Sequence, residues 1–116
     1  LYHLIWCPKR RKPVLIGAVA TRLAEIIGEV AGEHGWTIEN LTIKPDHLHL
    51  FVRGEPTVPA HEMIRLLKGR ASRVLRQEFP SLLRLPSLWT RSYFCSTAGN
   101  VSAEAIERYI EAQKGQ

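Results

Sequence analysis

The chain has 116 residues, with 16 Lys+Arg against 11 Asp+Glu, a formal net charge of +5 and a pI near 9.6. That length supports one domain with one core. The composition excludes a disulfide framework, because Cys7 and Cys95 are the only cysteines and both sit among apolar residues. They are expected to be reduced thiols of an intracellular protein. No apolar run reaches the roughly 18 residues of a membrane span, and Leu1 to Trp6 is too short for a signal peptide. The basic excess favours an anionic partner, most simply nucleic acid. Because the chain does not start with Met, its numbering is expected to begin inside a longer natural sequence.

Tyr2 to Cys7 reads as a short buried strand ended by Pro8. Lys9, Arg10, Arg11 and Lys12 follow as a basic cluster. The spacing of Val19, Leu23, Ile26, Ile27 and Val30 predicts a helix over 17–34, stopped by Gly35. Trp36 to Lys44 reads as a strand whose alternation slips at Asn40, so a bulge is expected there. Pro45-Asp46 makes a tight connection. His47 to Arg53 is the next strand, closed by Gly54 and Pro56. Residues 59 to about 78 form a second helix, with Met63, Leu66, Leu67, Ala71 and Val74 inward. It carries a second basic cluster: Lys68, Arg70, Arg73 and Arg76. Pro80 and Pro86 bracket a loop, and Leu88 to Ser96 is the expected fourth strand. Gly99-Asn100 turns the chain into a last helix, with Ser102 as N-cap and Val101 and Ile106 at the spacing of a hydrophobic staple.

The order β-α-β-β-α-β plus a helix is the split β-α-β, or ferredoxin-like, plan of an α+β fold. Both connecting helices should cover one face of an antiparallel sheet, leaving the other for a partner or a site. The fourth strand, with Trp89, Tyr93 and Phe94, is a candidate edge for dimerisation.

Two groups of residues carry chemistry. Alternation puts Leu48, Leu50 and Val52 on the core face and His47, His49 and Phe51 on the other. Two imidazoles at i and i+2 stand about 6 to 7 Å apart along a strand and can grip one ion between them. Imidazole suits Mn²⁺, Co²⁺, Ni²⁺ or Zn²⁺ and Mg²⁺ less readily. Asp46 could orient one ring or bind the ion itself. Alone the pair is a weak signal, since five histidines meet at this spacing by chance often enough. On the last helix, Tyr109 and Gln113 lie one turn apart and point the same way. A free phenol, with a pKa near 10, is a poor nucleophile at neutral pH and needs a metal or base beside it. The amide oxygen of Gln113 could be a third ligand, tying helix to strand.

Four blocks appear in the order of a known group: Tyr2 to Arg11 (YHLIWCPKRR), Pro45 to Leu50 (PDHLHL), Leu67 to Ser72 (LKGRAS) and Tyr109 to Gln113 (YIEAQ). Across nearly its whole length the chain resembles the small single-tyrosine transposases of the insertion-sequence 200/605 group, within the wider class named HUH for His-hydrophobic-His. The resemblance implies that residues 1–116 form a single HUH transposase domain, with a ferredoxin-like sheet and an obligate homodimer. It further implies a DNA transposase that binds DNA hairpins near element ends and cuts and rejoins single-stranded DNA through a 5′-phosphotyrosine. By position, Tyr109 is the nucleophile, and His47, His49 and Gln113 hold a divalent ion, Mg²⁺ or Mn²⁺. In that group a tyrosine from one subunit can serve the histidines of the other. Lys9, Arg10, Arg11, Lys68, Arg70 and Arg73 become expected phosphate contacts. A prokaryotic cytoplasmic setting, nucleoid-associated when bound to DNA, follows from the same likeness. This chain begins at the group's first strand and ends three residues after Gln113, where relatives often carry a longer tail. Two other readings compete. One is a domesticated relative that processes repeated palindromes. The other is a non-catalytic nucleic-acid-binding module, whose sheet should show stacking aromatics rather than paired histidines.

Overall fold

Four strands make one antiparallel sheet in the spatial order β2-β3-β1-β4, where β1 is Tyr2–Trp6, β2 Thr37–Lys44, β3 His47–Arg53 and β4 Phe94–Thr97. Helix α1 (Gly17–His34) joins β1 to β2, α2 (Ala60–Glu78) joins β3 to β4, and α3 (Ala103–Ala112) follows β4. This is the ferredoxin-like arrangement expected. The structure, a computed structural model, describes residues 1–97 and 103–116. The expected Gly99-Asn100 turn, Ser102 cap and Val101 staple lie outside the described residues.

Side-chain period explains the core. On β3 the even residues Leu48, Leu50 and Val52 are fully buried, while His47, His49 and Phe51 between them are half-buried. Leu4 and Trp6 join the first set, and the cluster is completed by Leu23, Ile26, Ile27 and Val30 of α1 and Met63, Ile64, Leu67, Ala71 and Leu75 of α2. Val19, Leu66 and Val74, expected inward, sit at its margin, whereas Ile64 and Leu75 go deeper. Burying one Leu or Ile contributes about 1.5–3 kcal/mol, so this two-helix face is where the stability lies.

Two glycines shape the frame. Gly35 ends α1 at φ 72°, left-handed, with its N–H turned back to the carbonyls of Ala31 and Gly32. Gly54 ends β3 where a Cβ would lie 2.2 Å from Met63 Cε and 3.1 Å from Trp36 Cδ1. A side chain there would push the movable tip of Met63 aside and crowd the Trp36 ring. The expected slip in β2 is a bulge: Ile38 faces Val52 and Asn40 faces Phe51, with Glu39 the extra residue.

The fourth strand departs from expectation. It starts at Phe94, not Leu88, and runs one residue past Ser96. Residues 88–90 form only an isolated bridge to the segment just after β1, Trp89 facing Pro8, with Thr90 N–H donating to Cys7 O and Lys9 N–H to Leu88 O. Pro8, the residue opposite Trp89, has no N–H and cannot extend a ladder. Leu88 and Trp89 are apolar because they pack in the core, not because they pair. Trp89 is 6% exposed, meets Trp6 edge-on at 6.0 Å and donates its indole N–H to Lys68 O. It therefore does not belong to an exposed dimer edge, and that edge reduces to Phe94–Thr97 at the rim of the sheet. The loop bracketed by Pro80 and Pro86 contains a 3₁₀ turn, Pro80–Arg84.

Candidate active site

The second sheet face carries the histidines. In the register of the strands His49 faces Ile5 on one side and Thr42 on the other, and His3 faces Phe51. The rings of His47 and His49 stand 5.1 Å apart at 75°. They line a cleft of about 930 Å³ whose other wall is α3, through Ile106, Glu107, Ile110 and Glu111.

Each imidazole is held through the same ring atom. His47 Nδ1 donates to Asp46 Oδ1 at 2.8 Å, and His49 Nδ1 is hydrogen-bonded to His3 Nε2 at 3.2 Å. Nε2 is the remaining ligand atom on both rings. Burial, reinforced by the neighbouring His47, His3 and Lys44, pushes His49 down to about 4, so the ring is neutral and fit to bind a cation. Burial alone would raise the Asp46 carboxyl. Hydrogen bonds from Arg11 and His47 outweigh it and hold the group below the usual carboxylate range. Among the described residues no group of three or more His, Cys, Asp or Glu is gathered closely enough to hold a metal. The chain thus offers a two-imidazole donor set, suited to a divalent ion with open positions.

Tyr109 and Gln113 do share a face, and Ser92 touches both. Ser92 Oγ lies 3.3 Å from Tyr109 Oη and donates to Gln113 Oε1 at 2.7 Å. The Gln113 amide N–H turns to Tyr109 O at 3.2 Å, and the residue is 7% exposed. Both ends of the amide are therefore engaged away from the histidines. The Tyr109 ring lies 5.8 Å from Phe94. Burial pushes its phenol up to about 12, with the Ser92 contact opposing that only in part.

The basic clusters divide. Arg11 Nε and Nη2 both donate to Asp46 Oδ2, at 3.0 and 2.6 Å, and Nη1 reaches Glu111 Oε2 at 3.4 Å. One guanidinium thereby joins the histidine strand to the tyrosine helix. To place it there, Arg10 and Arg11 adopt left-handed φ values of 56° and 51°, each costing about 1–3 kcal/mol. Arg70 pairs with Glu33 at 2.7 Å. Lys68 Nζ donates to Thr90 O and Ser92 O, and burial lowers it to about 8. Arg10 and Arg73 are exposed and Lys9 half-exposed. Sequence reasoning missed three residues here: His3, Ser92 and the internal role of Arg11. The strand period does put His3 on the histidine face. No signal marks Ser92.

The site thus combines a ferredoxin-like sheet with paired histidines on one face and a tyrosine-bearing helix across a cleft. The chain belongs to the IS200-like transposase family, whose model matches residues 1–113. It is 35% identical over 115 residues to the ISDra2 transposase TnpA of Deinococcus radiodurans, covering 97% of this chain and 82% of that protein. It is 26% identical to the transposase for insertion sequence element IS200 of Salmonella typhimurium, covering 97% of this chain and 75% of that protein. A crystal structure of a Deinococcus radiodurans transposase superposes with a TM-score of 0.90 at 33% identity, over 99% of this chain and 91% of that one. A REP-associated tyrosine transposase bound to a REP hairpin shares the fold at a TM-score of 0.63 and 14% identity, over 95% of this chain and 61% of that one. No helix of the described residues is long and apolar enough to cross a membrane.

Proposed function

We propose that residues 1–116 act as one HUH domain that cleaves and rejoins single-stranded DNA at hairpin-marked element ends. The observation that carries this reading is the pair of neighbouring imidazoles on one sheet face, lining a cleft walled by the tyrosine helix. His47 and His49 would hold a divalent ion, Mg²⁺ or Mn²⁺, with Gln113 as third ligand once its amide leaves Ser92. A bound ion supplies Lewis acidity toward the scissile phosphate.

Tyr109 Oη attacks phosphorus as its proton departs. The P–O3′ bond breaks, the 3′ oxygen leaves as a hydroxyl, and the 5′ phosphate stays on the tyrosine. One phosphodiester replaces another, so no ATP is needed. Because Tyr109 is bonded to Ser92, the attacking hydroxyl must first be freed by a shift of α3, or come from the partner of a homodimer. Exposed Arg10 and Arg73 and half-exposed Lys9 are the natural phosphate contacts. Arg11, Lys68 and Arg70 serve DNA only by giving up their internal partners.

The test is a denaturing-gel assay with a hairpin-bearing single strand and Mn²⁺. Wild type should form a covalent protein–DNA adduct. Tyr109→Phe should lower its yield at least about a thousandfold while leaving hairpin binding unchanged. A normal adduct yield from that variant removes Tyr109 from the chemistry. Mixing His47→Ala with Tyr109→Phe subunits then reads the arrangement. Activity returns only if the tyrosine serves its partner's histidines.

A further inference from the structure

We infer that His3 is a positioning residue of the site: its Nε2 accepts the Nδ1 proton of His49 and so keeps His49 Nε2 bare and aimed into the cleft. The inference rests on the reading of His47 and His49 as metal-holding residues.

His3 Nε2 and His49 Nδ1 are 3.2 Å apart on adjacent strands. A hydrogen bond between two ring nitrogens needs one protonated and one bare. If His3 donated, the His49 proton would sit on Nε2 and block the ligand atom. If His49 donates, Nε2 is free. The neighbouring ring follows the second pattern already, since His47 Nδ1 can only donate to the Asp46 carboxylate. Two rings with Nδ1 protonated and Nε2 bare form a matched pair, and such outer partners are what set ligand tautomer and orientation.

His3 is built to be a fixed acceptor. It is 6% exposed and lies on the central strand β1. Its ring stacks on Phe51 at 4.1 Å and 13°, and lies 5.4 Å from the His49 ring. Phe51 therefore clamps the plane in which Nε2 points. Ser96, opposite His3 in the β1–β4 register, has a buried Oγ with no hydrogen-bond partner among the described residues. Among the described residues His3 meets His49 and Phe51, with no hydrogen bond or ring contact to Tyr109. The role of His3 is to act through His49.

The experiment uses the full chain and reads two things. Long-range ¹H–¹⁵N correlation spectra of the metal-free protein report which ring nitrogen of each histidine carries hydrogen. Titration with Mn²⁺, followed by electron paramagnetic resonance, reports affinity. In the wild type His49 should be the Nδ1–H tautomer. His3→Leu removes the acceptor. It should shift His49 toward the Nε2–H form and weaken Mn²⁺ binding about 10- to 100-fold. His3→Gln places an amide oxygen near the lost Nε2 and should restore affinity to within about threefold of wild type. A merely structural role would not give that pattern of loss and rescue.

A wild-type His49 that carries its proton on Nε2 overturns the inference, and does so even if His3→Leu fails to fold. Unchanged tautomer and Mn²⁺ affinity in a folded His3→Leu also overturn it, while a loss of Mn²⁺ binding in His47→Ala would show that the metal reading itself still stands. If His47→Ala and His49→Ala bind Mn²⁺ like the wild type, the metal reading fails and the role of His3 falls with it.

Discussion

The two halves of the site are built to different standards of rigidity. The histidine half lies on β3 in the interior of the sheet, backed by fully buried Leu48, Leu50 and Val52, with both rings tied through Nδ1. The tyrosine half lies on α3, none of whose ten residues is fully buried. It is held by Phe94, Ser92 and the thin bridge from Arg11 to Glu111. In the proposed mechanism, the half that would receive the phosphate is fixed by packing, and the half that would carry the covalent DNA end is attached by polar contacts. Arg11 contacts both halves.

Paired truncations test that contrast most severely. Leu50→Ala should cost about 2–5 kcal/mol of global stability, and Ile110→Ala on α3 about 1 kcal/mol or less, both by urea denaturation. Equal losses would erase the distinction between a packed half and an attached one. A smaller effect isolates the latch. Ser92→Ala removes one hydroxyl that serves both Tyr109 and Gln113, worth about 1 kcal/mol. Amide exchange should accelerate across 103–113 while β3 stays protected. Acceleration in β3 as well would mean that the halves are one cooperative unit.

The smallest effect is electrostatic. His49 is held near pH 4 in the folded chain against 6.5 when unfolded. The unfolded state therefore binds the proton more readily between those values. The associated stability is full above about pH 6.5 and is lost as pH falls toward 4. Between pH 7.5 and 6 the loss in the metal-free protein is about half a kcal/mol after allowance for solvent. His49→Gln should flatten that slope. A slope that persists would assign the proton to another group.

Most of the frame was legible because it rests on period and punctuation. The helix over 17–34 follows its apolar stripe and Gly35, and the β2 bulge follows the slip at Asn40. Leu88–Tyr93 misled because apolar and aromatic residues mark burial and pairing alike. Only the chain path shows that Pro8 leaves them without a ladder. The same limit applies to charge. Arg11, Lys68 and Arg70 look like phosphate contacts in a list of residues, yet each already has an internal acceptor.

By itself the sequence determined the α+β frame, the shared face of His47 and His49, and the shared turn of Tyr109 and Gln113. These depend on spacing within one element, which the backbone repeat enforces. Tertiary structure alone decided that His3 meets His49 across 46 residues, that Ser92 holds Tyr109 and Gln113, and that Arg11 binds Asp46. Those contacts join separate elements, and hydrogen bonds a few ångströms long leave no periodic trace in the residues that make them.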